Sequence, residues 1–303
     1  MARACLQSDV YDYNVEMVDA MTPEGKKSGM KLTRRTDNGT ILGFTSDQYG
    51  LVDNAPLVDK AEAAFESAGL EYTKRRFLVT NGLKKDSLGA RFRAIYDFGN
   101  ENMEIPTRRE DRQVGDVMGM RLILQNSFDR SLRLSFALGL VRLVCTNGMQ
   151  TMERELDLTR KHSQKIDVDS LITHDNVTQA LELFKGAGDE FARMSQKSIE
   201  HDQGLNILGN LAKKKVFSEK TREGVATIWN NPSHEEDKSR NLYNLYNATT
   251  QFLTENVAES RFEMSDNTGR KVLQTLSLAA SNPNRLDKLV KALPVEGVSV
   301  ANN

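Results

Sequence analysis

Guanidinium groups recur at alternate positions of otherwise apolar segments in this chain. In "LGARFRAIYDF" a period of two sets Phe92, Ala94, Tyr96 and Phe98 on one face and Arg91 and Arg93 on the other. "MGMRLILQN" sets Met118, Met120, Leu122 and Leu124 against Arg121, and "LRLSFAL" sets Leu132, Leu134, Phe136 and Leu138 against Arg133. Neighbouring strands lie about 5 Å apart, so arginines on one face of successive strands form a positive track where the register aligns them. With Lys74, Arg75, Arg76, Lys84, Lys85, Arg160, Lys161 and Lys165 from the same half of the chain, such a track suits neutralisation of phosphates along a nucleic-acid backbone. Tyr72 shares strand parity with Lys74 and Arg76 and is the candidate for base stacking. The plainer alternative is that these arginines keep the open face of an antiparallel sheet solvated and blunt its edges. Arg142 shares parity with Leu140 and Val144, which reads as a buried, hydrogen-bonded structural arginine. Asn147, with Gln150 three residues on, reads as the cap of a helix.

Other chemistry finds less support. There is no GxxxxGK[ST] phosphate loop, no GxSxG, no HExxH, and no GxGxxG following a strand. His162, His174, His201 and His234 have no Cys or carboxylate at ligand spacing and read as surface residues. Asp167 and Asp169 form a D-x-D pair that serves either a divalent cation or, with Ser170, a turn. The expectation is therefore no catalysis, no cofactor and no metal.

The elements that must position the basic residues follow from patterning. "KLTRRTDNGTILGFTSDQY" reads as two strands around Asp37-Asn38-Gly39, and "NAPLVDKAEAAFESAG" as a helix capped by Asn54 and stopped by Gly69. Strands then follow at "EYTKRRFLVT", "LGARFRAIYDF", "MGMRLILQN", "LRLSFAL" and "LVRLVC", with a polar loop over 99–116, and a helix starts near Asn147. Beyond about residue 170 the pattern is helical. Ala180, Phe184, Ala187, Phe191 and Met194 share one helix face, which reads as packing and alternatively as a subunit interface. Further helical stretches fit 205–230, 240–258, 268–280 and 284–293, with "NNPSHEEDKSR" as a connection. The predicted fold is α+β: an antiparallel meander with packed helices in β-β-α-β-β-β order, then an all-helical half. Residues 1–30 read as an arm, 31–170 as the core domain, and 171–303 as the helical region with a frayed tail after about 294.

The total charge does not advertise a partner: 41 basic residues against 42 acidic give a net charge of −1. Basic residues nevertheless outnumber acidic ones between Glu71 and Lys165, an excess that the neutral total hides. Two cysteines, Cys5 and Cys145, form neither a disulfide framework nor a metal-ligand pair. Neither a signal peptide nor a membrane span is evident, so a cytoplasmic protein without membrane association is expected.

"RTDNGTILGFTSDQYGLVDN", "LRLSFALGLVRLVCTNGMQ" and "LTRKHSQKI", in this order and spacing, resemble the phage/plasmid-like family known as domain of unknown function 932. The most specific pieces are Val141, Arg142, Val144, Cys145 and Asn147, and the basic "RKHS". The chain departs from the family pattern at Gly139-Leu140 and Thr146, where a proline and a glutamine are usual. The resemblance implies a phage or mobile-element origin and no assigned activity. The element order is also similar to the core of Rad-fifty-two-like single-strand annealing proteins, an analogy of fold alone. Together these imply a protein that binds single-stranded nucleic acid, DNA in the first instance, as a homo-oligomer, and promotes annealing or protects replication intermediates. The competing expectation is an interaction or structural protein that engages a host or phage protein through its helical half, favoured by the neutral overall charge and the single Trp229.

Overall fold

A computed structural model describes residues 11–109, 112–142, 151–256 and 262–292. The fold is α+β, with the strands in the first half of the chain and the long helices in the second. Three antiparallel strands come first: β1 Val15–Met21, β2 Lys27–Arg35 and β3 Ile41–Thr45, in the order β1-β2-β3. The β2–β3 turn falls on Asp37-Asn38-Gly39 as predicted, closed by Gly39 N–H donating to Arg35 O at 3.1 Å. Residues 15–30, read as an arm, instead carry β1 and the start of β2. Their weak alternation suffices once the ladder and the turn are supplied.

Helix α1, Asn54–Ser67, follows with Asp53 as its cap. Asn54 is one residue too late to cap and is buried: its side-chain oxygen accepts from Asn126 Nδ2 at 2.9 Å. A five-stranded antiparallel sheet comes next, β4 Lys74–Thr80, β5 Arg91–Arg109, β6 Arg112–Ser127, β7 Leu134–Arg142 and β8 Thr151–Arg160, ordered as in sequence. Three expectations change here. The segment 99–116 is not a loop: most of it extends the β5–β6 hairpin, where after an irregularity Asn102 pairs with Gly119 and Ile105 with Asp116. "LRLSFAL" and "LVRLVC" are not two strands, because β7 runs through Gly139 and the interruption appears only as a register shift against β8 between Ala137 and Gly139. In place of the helix after Asn147 there is β8, whose alternating Met152, Leu156 and Leu158 have strand period. Asn147 itself lies outside the described residues, as does the tail from residue 293.

One sheet face carries Phe92, Ala94, Tyr96, Phe98, Met118, Met120, Leu122, Leu124, Phe136 and Leu138, all buried as the alternation predicted. Phe65 of α1 packs on this face, its ring centroid 4.9 Å from Tyr96 and 5.2 Å from Phe98. Helix α2, His174–Ser195, lies along β5, β7 and β8, capped by Thr173, whose hydroxyl accepts from Asn176 N–H at 3.1 Å. Its stripe Ala180, Phe184, Ala187, Phe191 and Met194 is fully inside, so it is packing and not an interface. The stretch 205–230 divides into α3 His201–Lys213 and α4 Glu219–Asn230, broken where Lys215 takes a positive φ of 56°. A 3-10 turn at Glu235–Asp237 leads to α5 Leu242–Asn256, then α6 Phe262–Ser281 and α7 Pro283–Val290. The apolar cluster is continuous from Tyr13 to Leu289, so the change of composition near residue 170 does not interrupt the packing. No helix among the described residues is long and apolar enough to cross a membrane.

Candidate nucleic-acid interface

The second face of the large sheet is closed as well: Leu78, Ile95, Ile123 and Ala137 are buried on it. This corrects the expected arginine track. Arg93 has no exposed surface, and its guanidinium pairs with Asp266 near the start of α6. Arg121 is 3 % exposed and faces Asp97 directly across β5–β6, donating from Nε and Nη2 at 2.5 and 2.9 Å. Buried and paired with carboxylates inside the fold, these two guanidinium groups are out of reach of a phosphate. Alternation identified the face of these residues, but not what covers it.

Tyr72 is also displaced from its expected place. It precedes β4, so strand parity does not reach it, and its ring meets Tyr96 edge-on at 5.3 Å on the core side. Arg75 sits with it, paired to Glu62 of α1 at 2.8 Å. Lys74, Arg75 and Arg76 all lie at the start of β4, and Arg142 lies at the end of β7, opposite Met118; its side chain is outside the described residues.

The remaining basic residues converge because the meander is antiparallel. The ends of β4, β6 and β8 and the starts of β5 and β7 all fall on one end of the sheet, so Lys84, Lys85, Arg91, Arg133, Arg160, Lys161 and Lys165 are gathered there. Arg130, missed in the sequence, joins them from the β6–β7 turn at a positive φ of 66°. With strands about 4.8 Å apart, five of them make this end about 19 Å wide. Lys84, Lys85, Arg130, Arg133, Lys161 and Lys165 are exposed; Arg91 and Arg160 are half-buried. Asp86, Asp167 and Asp169 are the exposed acids in the same loops, and Asp47 is exposed in the loop after β3.

A buried carboxylate holds the two central loops together. Asp129, 2 % exposed, accepts from Leu83 N–H at 2.7 Å across the gap to the β4–β5 loop, and from Ser131 N–H at 3.0 Å and the Ser131 hydroxyl within its own turn. Ser131 Oγ in turn accepts from Arg91 Nε at 2.7 Å. Space around Asp129 is tight. A Cβ on Gly82 would overlap its carboxylate, and one on Gly43 of β3 would stand 2.5 Å from its Cβ. Both glycines are therefore required by close approach and not by backbone angle.

The loop after β8 is anchored separately. His162 stacks on Tyr49 with ring centroids 4.8 Å apart and donates from Nδ1 to Gly50 O at 3.0 Å, while Tyr49 donates to Ser127 O at 2.6 Å. His162 was expected at the surface; its ring is instead enclosed, and burial pushes its pKa below the usual histidine value. The unfolded chain therefore takes up a proton at higher pH than the native one. Acidification through about pH 6.5 removes stability, and above that pH His162 contributes no penalty. We predict that the fall in urea midpoint between pH 7 and pH 5 is smaller in His162→Phe than in the parent, as equilibrium unfolding at the two pH values would show.

The D-x-D pair takes the turn reading. Asp167 accepts from Ser170 N–H at 3.0 Å, which holds its pKa low, and Asp169 pairs with Lys60 at 2.7 Å. Among the described residues no three His, Cys, Asp or Glu side chains come together as a metal site. Trp229 is buried, its indole donating to His201 O at 3.1 Å under the Arg240 guanidinium, so it offers no surface to a partner.

A family model described as Domain of unknown function (DUF932) matches residues 41–278, from β3 through most of α6, and so extends far C-terminal of the three segments that carry the resemblance. No curated protein and no solved structure matches the chain.

Proposed function

The chain belongs to the Domain of unknown function (DUF932) family, whose description carries no activity, and from the geometry of its cationic end we propose that it binds single-stranded DNA. In this reading Lys84, Lys85, Arg91, Arg130, Arg133, Arg160, Lys161 and Lys165 neutralise backbone phosphates without catalysis, leaving most bases free to pair. The supporting observation is the convergence of three basic loops on one end of the sheet, two of them locked together by Asp129. Cations held on ordered loops bind an anionic strand with less ordering cost than cations on floppy ones. In a phage or mobile-element setting such binding, by an oligomer in the host cytoplasm, would promote annealing or protect replication intermediates.

The test is retention of labelled oligonucleotides at low salt, single-stranded against duplex. Tighter retention of the single strand is expected, and no retention of either contradicts the reading. A second reading, an interaction or structural protein, draws on the exposed Met264 and Leu278, which lie fourteen residues apart, about four turns, and so on the same side of α6. Light scattering without DNA separates the two: a mass that drops in Met264→Ser/Leu278→Ser, with no oligonucleotide bound by the parent, favours the second.

A further inference from the structure

The loop after β8, residues 161–168, brings Lys161 and Lys165 to the cationic end, and β8 is the last strand of its sheet, so the position of the loop depends on what it docks against. It docks on residues 47–50, in the segment after β3. Gln164 donates from Nε2 to Asp47 O at 2.9 Å, and His162 donates from Nδ1 to Gly50 O at 3.0 Å. The two backbones also meet closely: a Cβ on Gly50 would stand 2.0 Å from Ser163 O. The His162 ring lies flat on Tyr49, 15° from parallel. Of the groups in this dock, only His162 titrates near neutral pH.

The ring fits in one protonation state. Gly50 O can only accept, so Nδ1 carries the proton, and Nε2 is enclosed with no hydrogen-bond partner. A second proton, on Nε2, would place an N–H and a full charge where no acceptor stands. The charged groups around the dock do not compensate. Asp47 offers the loop its backbone oxygen, Asp129 on the far side of Tyr49 is taken up by Leu83 and Ser131, Asp167 accepts from Ser170, and Asp169 pairs with Lys60. Arg130, Arg160, Lys161 and Lys165 are positive and oppose a further charge.

We propose that His162 is a proton-sensitive latch for the third cationic loop: the neutral ring holds residues 161–166 in place, and a second proton on the ring releases them. The consequence for binding rests on the single-strand reading above; the latch itself does not. Release unties Lys161 and Lys165 from the other two loops, and a cation on a loose loop costs more ordering to hold a phosphate. Single-strand affinity should therefore fall on acidification. Electrostatics alone predicts the reverse, because His174, His201 and His234 gain positive charge over the same range and a polyanion is drawn to it.

Two measurements on the full chain, each at pH 7.5 and pH 5.5, test the latch. The first needs no ligand. Amide exchange at Ser163 and Ile166, corrected for the intrinsic effect of pH, should quicken by up to about tenfold, the most that one proton contributes one pH unit below the free histidine value. Exchange in β5 and β6 should not follow. His162→Gln, whose amide donates to Gly50 O without titrating, should show no such acceleration, and His162→Phe, which keeps a ring on Tyr49, is the second non-titrating variant. The other measurement is anisotropy with labelled oligothymidylate, whose base does not titrate in this range, at fixed ionic strength. The parent should bind more weakly at pH 5.5, by a factor between about two and the tenfold ceiling of one proton, and His162→Gln should not weaken. Exchange at Ser163 and Ile166 that only keeps pace with β5 and β6, or a His162→Gln loop that opens with acid as the parent's does, overturns the latch and leaves the cationic reading standing. Tighter binding by the parent at pH 5.5 that His162→Gln lacks also overturns it, by making the protonated ring a phosphate contact. Acid-quickened exchange in a protein that binds no oligonucleotide at either pH keeps the latch and removes the single-strand reading.

Discussion

Replacing Arg93 by methionine should lower the stability of the protein by about 3–5 kcal/mol, the cost of leaving a buried charge without its partner. Asp266 would then hold a carboxylate inside the fold, 6 % exposed, with its guanidinium gone. The loss is read as a fall in the urea midpoint. The paired replacement Arg93→Met/Asp266→Leu should recover most of it, because two apolar side chains of similar size tolerate the site far better than one orphaned ion. Since Arg93 reaches no solvent, the folded double variant should bind oligonucleotides as the parent does. A single variant as stable as the parent would mean that Asp266 finds water or another partner. The same logic applied to Arg121→Met predicts a smaller loss, because its partner Asp97 is partly exposed.

The second large effect is expected at Asp129. Its removal by Asp129→Ala deletes the acceptor for Leu83 N–H and for the amide and hydroxyl of Ser131, and with Ser131 loosened the tether on Arg91 goes too. Hydrogen bonds to a charged group contribute about 1.5–3 kcal/mol each, and a net loss of about 3 kcal/mol follows if the freed donors regain water in part. The effect should be local as well as global. Amide exchange at Leu83 and Ser131 should quicken more than exchange in β5 and β6, and affinity for a single-stranded oligonucleotide should fall although no cation has been removed. Asp129→Asn should lie between, since the amide keeps one accepting oxygen and can serve only one side of the gap. Gly82→Ala should resemble Asp129→Ala, because its methyl group would displace the carboxylate. Loosened loops with undiminished binding would separate loop order from function.

What patterning could and could not disclose is clear in particular residues. The period of two in "ARFRAIYDF" correctly assigned Phe92 to Phe98 to the core, because that face packs on α1 and the signal is local. It was silent about the opposite face, which is closed by contacts distant in sequence; Asp266 lies 173 residues from Arg93. Asn147 and Gln150 resembled a helix start, yet the alternation of "TMERELDLTR" a few residues later was the stronger signal for the strand that the meander needed. The convergence of Lys84, Lys85, Arg133, Arg160 and Lys161 was latent in the list of basic residues, but it depends on counting strands correctly. With a helix in place of β8, Arg160 and Lys161 have no reason to join the others. Asp129 left no trace beyond a turn signal, since its role depends on Gly43 and Gly82 leaving it room.

If the loop end of the large sheet holds the phosphates, the salt dependence of single-strand binding must change in Lys84→Ala/Lys85→Ala/Arg130→Ala/Arg133→Ala. Each neutralised phosphate contributes about 0.7 to the slope of log affinity against log salt on a single strand. The slope should be shallower by roughly 2–3 in this variant, and Lys74→Ala/Arg75→Ala, at the other end of β4, should leave it unchanged. A quadruple variant that keeps the parent's slope, or a loss confined to the Lys74/Arg75 pair, would contradict that placement of the phosphates.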